Sequence, residues 1–288
     1  MYQKNFELRI REDRFDAIQF GSGSQDLVLI TGLGDGITTV RGKAGLGSLL
    51  YRKYARQYRV TIISRKNTLE PDATTQSMAK DQYYAMQALG IRDAYVIGVS
   101  MGGMIAQHLA ADHPDMVRKL VLVVTEPAAG ELMQENIGRW IGFAQIGAFL
   151  GLMIDITEKA HPEKYLKRLR PFYPYLGSAA KKLDIQRFCI QARACASHDA
   201  TEKLDRIQCP TLVIGGGRDR TLGDQGSHLL HRFISESTLR IYEDQGHALY
   251  EDEPDFLKTV LAFLKEPAPE ADDAISPKEG ENPVHSGN

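Results

Sequence analysis

Near-continuous apolar runs recur through the first half of the chain: DLVLI (26–30), RVTII (59–63), AYVIGV (94–99) and KLVLVV (119–124). A strand covered on both faces reads this way, because neither set of alternating side chains meets water. Ahead of them, FELRI (6–10) and DAIQF (16–20) are separated by charged residues and turn formers, which predicts a hairpin. Helical patterns lie near 45–57, 74–89 and 101–112. In the last, Met101, Met104, Ile105, His108 and Leu109 fall on one face. Strand–helix–strand alternation predicts a mainly parallel sheet covered by helices.

The alternation breaks at Glu126. From there to about Asp205 the pattern is helical, with no convincing strand. It resumes with PTLVIGG (210–216), a helix near 224–234, TLRIYE (238–243) and a helix near 254–265. The expected organisation is therefore an α/β core (1–125), a helical insertion (126–205), the rest of the core (206–266) and an acidic tail (267–288). The tail carries five acidic residues, one lysine, four prolines and almost nothing to bury, so it is expected to be disordered.

Composition narrows the function. Of 288 residues, 43% are hydrophobic and 25% charged, as in globular proteins, and the net charge of -2 comes without a basic stripe, which argues against nucleic-acid binding. Cys189, Cys195 and Cys209 form no CxxC pair and suggest neither a zinc site nor a disulfide framework. The charged opening, MYQKNFELRIRED, lacks the apolar core of a signal peptide. The longest apolar stretch, IGFAQIGAFLGLMI, falls short of the roughly 20 residues that span a bilayer. A cytoplasmic protein without a transmembrane segment is expected.

The candidate chemistry begins at GVSMGG (98–103), where a strand gives way to a helix. The GxSxG pattern is weak alone and gains weight from that context. A serine on a sharp turn projects its hydroxyl from the sheet. Gly98 and Gly102 leave room for close packing, and the Met101 amide lies at a helix N-terminus, where it can hold an oxyanion. A neutral serine also needs a histidine base oriented by a carboxylate. GGGRDR places Asp219 just after the strand at 211–215, and EDQGHALY places His247 just after the strand at 238–243. A second oxyanion donor, the Leu33 amide, is assigned to the glycine-rich TGLGDG loop after the third strand.

On TGLGDG, GVSMGG, GGGRD and DQGHALY, the chain resembles the α/β-hydrolase superfamily over roughly residues 5–265. It looks like the esterase, lipase and carbon–carbon hydrolase branches, whose helical cap would correspond to 126–205. The resemblance implies an α/β-hydrolase fold and a serine hydrolase acting through Ser100, Asp219 and His247, with no metal or cofactor. The implied partner is a small acyl or ester substrate. Carbon–carbon cleavage, acyl transfer and ligand binding without turnover stay open as alternatives. Thr31 departs from the histidine that many members carry before the oxyanion glycine, and the HGGG form is absent.

Other residues read less sharply. Asp224, the runner-up acid, reads better as a helix N-cap. His113 at a helix end is expected to complement the dipole as a cation. His108, His161, His198, His228, His231 and His285 lack metal-ligand spacing. The TGLGDG region fails both nucleotide-loop patterns, having isoleucine at 37 and alanine at 44. In the insertion, Trp140, Phe143, Phe149 and Met153 are candidates to roof an apolar pocket. The basic run EKAHPEKYLKRLR (158–170) is expected to be a solvated helix face, or else to attract an anionic group.

Overall fold

The computed structural model describes residues 2–180 and 184–267. Eight strands form one sheet: β1 (Gln3–Ile10), β2 (Asp13–Phe20), β3 (Asp26–Ile30), β4 (Arg59–Ile63), β5 (Ala94–Val99), β6 (Val117–Val123), β7 (Thr211–Gly216) and β8 (Ser237–Tyr242). Their order is β1-β2-β4-β3-β5-β6-β7-β8. β1 and β2 pair as an antiparallel hairpin and β2 runs antiparallel to β4, while β3 to β8 run parallel.

The apolar runs are explained by the two cores they serve. Val28 and Ile30 of β3, with Leu120 and Leu122 of β6, pack on one face of the sheet. Leu27 and Leu29, with Val121 and Val123, pack on the other. Period-two alternation sends successive residues to opposite faces, and both faces are dry. The helix Met101–Asp112 is buried all round from Met101 to Ala111, not along one face as its pattern suggests. It packs against β5, β6, the helix Thr75–Ala88 and the short helical turn Thr201–Arg206, so water reaches none of its sides.

The helix expected at 45–57 is two helices, Ala44–Leu50 and Arg52–Ala55. Tyr51 leaves the helical region between them (φ -99, ψ 24), and its ring stacks on Phe20 at 6.4 Å. Gly47 lets the first helix lie against β2, where a Cβ would approach the Phe20 ring to 2.9 Å. By contrast the helix Thr75–Ala88 starts where its sequence says it should. The Thr74 hydroxyl accepts from the Ser77 amide (3.1 Å), and the Ser77 hydroxyl accepts from the Thr74 amide (2.9 Å).

Between β6 and β7 the regular elements among the described residues are helical, the longest being Glu131–Gln145, Phe149–Ala160 and Ile185–Ala196. One isolated bridge, Ala128 to Asp199, joins the two ends of this segment. The expected tail falls outside the described residues from position 268 onward. No helix among the described residues is long and apolar enough to cross a membrane.

Two histidines are built into the packing beside this segment. His108 and His198 meet edge to face at 5.3 Å, and His198 Nδ1 lies 2.8 Å from the Thr75 hydroxyl. Burial pushes His108 down to about 4 and His198 down to about 3, so the folded state holds both neutral. The unfolded chain protonates them below about pH 6.5, and stability from their neutral burial is lost as pH falls from there toward 4. Glu126 and Asp81, whose carboxyls burial raises to about 7 and about 6, act in the opposite sense over the same range. The whole stability curve therefore understates the histidines, and a variant isolates them. In urea unfolding, the stability gap between wild type and His198→Gln should shrink by about 2 kcal/mol between pH 7 and pH 5. A gap independent of pH would contradict a buried neutral His198.

His113 differs from its expected role as a dipole-complementing cation. Its ring stacks on Tyr83 at 3.6 Å, nearly parallel, and desolvation lowers its pKa. Removing water from the ring disfavours the charged form more than the nearby Asp112 and Asp115 charges favour it.

Candidate active site

Ser100 follows β5 directly and occupies a backbone conformation that L-residues rarely adopt (φ 54, ψ -122). Such a conformation costs about 1–3 kcal/mol and persists only where surrounding packing enforces it. Here the packing is glycine-dependent. A Cβ on Gly102 would sit 1.9 Å from the Ile30 carbonyl oxygen, and one on Gly98 would sit 2.5 Å from that of Gly102. These contacts are with backbone and cannot be relieved by a rotamer change. Gly102→Ala should therefore lower unfolding free energy by about 3 kcal/mol or prevent folding. A urea melt superimposable on wild type would contradict the close approach.

The loop after β7 brings Asp219 into position. Its Oδ1 accepts from the amides of Thr221 (2.7 Å) and Leu222 (3.0 Å), which turns Oδ2 toward His247 Nδ1 at 2.7 Å. His247, on the loop after β8, has its Nε2 2.9 Å from Ser100 Oγ. A carboxylate only accepts, so Nδ1 carries the proton and Nε2 accepts from the serine hydroxyl. Ser100, His247 and Asp219 thus form one hydrogen-bonded chain across three strand ends. Asp224 takes no part in it. It precedes the helix Gln225–Phe233 and makes no side-chain capping bond there.

Two amides stand beside the serine. Neither Met101 N–H nor Leu33 N–H donates to an acceptor among the described residues. Gly32 keeps the Leu33 loop against the serine, since a Cβ there would touch Ser100 Cβ at 3.3 Å. Below that loop lies a buried ionic cluster that the sequence did not indicate. Arg65, at the end of β4 and 1% exposed, donates to both the Thr31 hydroxyl and the Thr31 carbonyl. Arg187, from the helix Ile185–Ala196, donates to the Asp35 carboxylate and the Asp35 carbonyl. Burial holds the Arg65 guanidinium below the usual arginine range, opposed by the Asp35 charge. Thr31, the departure from the family pattern, is thus the residue through which Arg65 grips the loop.

Glu126, just after β6, is a second buried carboxyl near the chain. Desolvation raises it to about 7, the Gly130 amide opposes the rise, and the charge of Asp219 adds to it.

A cavity of about 610 Å³ opens over Ser100. Its lining includes His247, Thr31, Leu33, Tyr51, Leu222 and Tyr250 from the core, with Met133, Ile137, Trp140, Met153 and Ile156 from the insertion. Of the four insertion residues expected there, Trp140 and Met153 line the cavity and Phe143 and Phe149 do not. The Phe143 ring packs against Gly151 instead, where a Cβ would meet it at 3.3 Å. Met133 and Ile137, missed in the sequence, were marked by spacing: they lie seven and three residues before Trp140 and share one helix face with it. The insertion is held to the loops that carry the chain. Asn136 Nδ2 donates to the Arg220 and Thr221 carbonyls, each at 3.0 Å, and the Ala248 amide donates to the Ala160 carbonyl at 2.9 Å. Of the basic run at 158–170, Ala160 lines the cavity while its charged side chains stay out, with Arg170 paired to Glu158 (3.0 Å) and Glu163 (2.6 Å).

A serine on a strained strand-to-helix turn, above a mainly parallel eight-stranded sheet, defines an α/β-hydrolase fold. Known proteins agree. A family model described as alpha/beta hydrolase fold matches residues 27–144. The sn-1-specific diacylglycerol lipase of Mus musculus is 26% identical over 216 residues, which cover 67% of this chain and 66% of that protein. The chain thus matches just under two thirds of that relative's length. The 2-hydroxy-6-oxononadienedioate/2-hydroxy-6-oxononatrienedioate hydrolase 2 of Pseudomonas putida is 25% identical over 283 residues, covering 89% of this chain and 95% of its own. Among solved structures, an α/β hydrolase from a Medee basin deep-sea metagenome library aligns with a TM-score of 0.82 over 94% of this chain and 100% of its own, at 17% identity. The chain has the α/β-hydrolase fold, and its residues 27–144 match the model of that family.

Proposed function

We propose that the protein is a serine hydrolase that cleaves a carboxylic ester or related acyl substrate through an acyl-serine intermediate. The observation that carries this reading is the unbroken chain from Ser100 Oγ to His247 and Asp219. His247 Nε2 takes the hydroxyl proton as Ser100 Oγ attacks the acyl carbon, and Asp219 stabilises the resulting imidazolium. The Met101 and Leu33 amides receive the oxyanion. The tetrahedral species collapses, and the leaving alcohol departs with the proton from His247. Water, deprotonated by the same nitrogen, then attacks the acyl-serine and releases the acid.

The cavity supports an apolar acyl group of limited size, because its volume lies in the ordinary range for small-molecule sites and its insertion side is aliphatic and aromatic. Rates on nitrophenyl esters of graded acyl length should pass through a steep optimum. A flat profile, or no hydrolysis by folded protein, would contradict this reading.

A second reading, hydrolysis of a carbon–carbon bond beside a ketone, is favoured by the relative from Pseudomonas putida, whose match spans most of both chains. Comparing products from a 1,3-diketone with those from a simple ester separates the two.

A further inference from the structure

From Gly36 to Leu69 the chain carries eight cationic residues and no acidic one, in a protein whose net charge is -2. Three of the eight are committed to the fold. Arg59 pairs with Asp26, Lys66 with Asp13 and Asp81, and Arg65 is buried against Thr31. The other five, Arg41, Lys43, Arg52, Lys53 and Arg56, flank the helix Ala44–Leu50 and make no ion pair among the described residues. All but Lys43 are exposed.

That helix presents an apolar face outward. Leu46, Leu49 and Leu50 are 53%, 64% and 67% exposed and fall at positions i, i+3 and i+4, on one side. Its other side, with Ala44, Gly47 and Ser48, is buried. Leu50 and Lys43 also line the cavity over Ser100, so one end of this face lies beside it.

We propose that this face is a docking surface for an anionic lipid bilayer. Protruding aliphatic side chains flanked on both sides by lysine and arginine are the composition that seats in the headgroup boundary. The leucines enter the acyl edge while the cations meet the lipid charge. The cations alone would also suit an acidic protein. The leucines decide against it, because protein interfaces concentrate their energy in tryptophan, tyrosine and arginine anchors, with leucine under-represented. Three leucines and a few cations give a weak, reversible and salt-sensitive attachment. The proposal concerns binding and stands whether or not Ser100 turns over an ester.

The test is co-sedimentation of the full-length protein with vesicles of equal parts phosphatidylcholine and phosphatidylglycerol, against vesicles of phosphatidylcholine alone. Binding is expected on the anionic vesicles, to fall with added salt, and to drop about tenfold or more in Arg52→Glu/Lys53→Glu and in Leu46→Ser/Leu49→Ser. Leu50 is left untouched because it lines the cavity. Matching urea midpoints confirm that both variants fold. Equal binding to both vesicle types, or wild-type binding by the folded variants, would overturn the proposal. So would capture by an acidic protein in place of the vesicles.

Discussion

Ser100→Ala will lower kcat/KM on the best nitrophenyl ester by about 10⁴- to 10⁶-fold while leaving the protein folded. The size follows from what the substitution removes. In the proposed mechanism the hydroxyl is the atom that attacks, and alanine offers nothing in its place to form the covalent bond. What survives is the positioning and oxyanion stabilisation that the loop and helix still offer. KM should change little, because the cavity walls are untouched. A residual rate within tenfold of wild type would place the chemistry on another residue.

Asp219→Asn should have the next largest effect, about 10⁴-fold in kcat. The carboxylate fixes the imidazole so that Nδ1 donates and Nε2 faces the serine as an acceptor. An amide whose nitrogen faces Nδ1 would reverse that, leaving the proton on Nε2 where a base is needed. The Thr221 and Leu222 amides bind Oδ1, so the asparagine oxygen is held there and its nitrogen is turned toward the ring. The geometry therefore enforces the wrong tautomer. Asp224→Asn serves as the comparison and should retain activity near wild type.

The central strands were legible because they bury both faces. DLVLI and KLVLVV could be read as strands since two cores, one on each side, accept their alternate residues. Even so, β6 ends one residue before its apolar run does. Val124 turns into a left-handed conformation (φ 43) that no hydrophobic pattern announces. The proximity of Ser100, Asp219 and His247 was legible from chain order, because parallel strands deliver their C-terminal ends to one edge of the sheet.

The insertion was harder. An amphipathic helix shows which residues avoid water, not whether they face a neighbouring helix or a cavity. Phe143 and Trp140 look alike in sequence, yet one packs on Gly151 and the other lines the cavity. Arg65 and Arg187 were invisible for a related reason. Each reaches a partner distant in sequence, Thr31 and Asp35, and pairing through space leaves no local pattern.

The measurement that bears most directly on the central reading is labelling by a fluorophosphonate, followed by peptide mapping. The probe should add one phosphonyl group to wild type, on the peptide carrying Ser100, and none to Ser100→Ala. Folded wild-type protein that stays unlabelled, or carries the label on another residue, would contradict the assignment of Ser100 as the nucleophile.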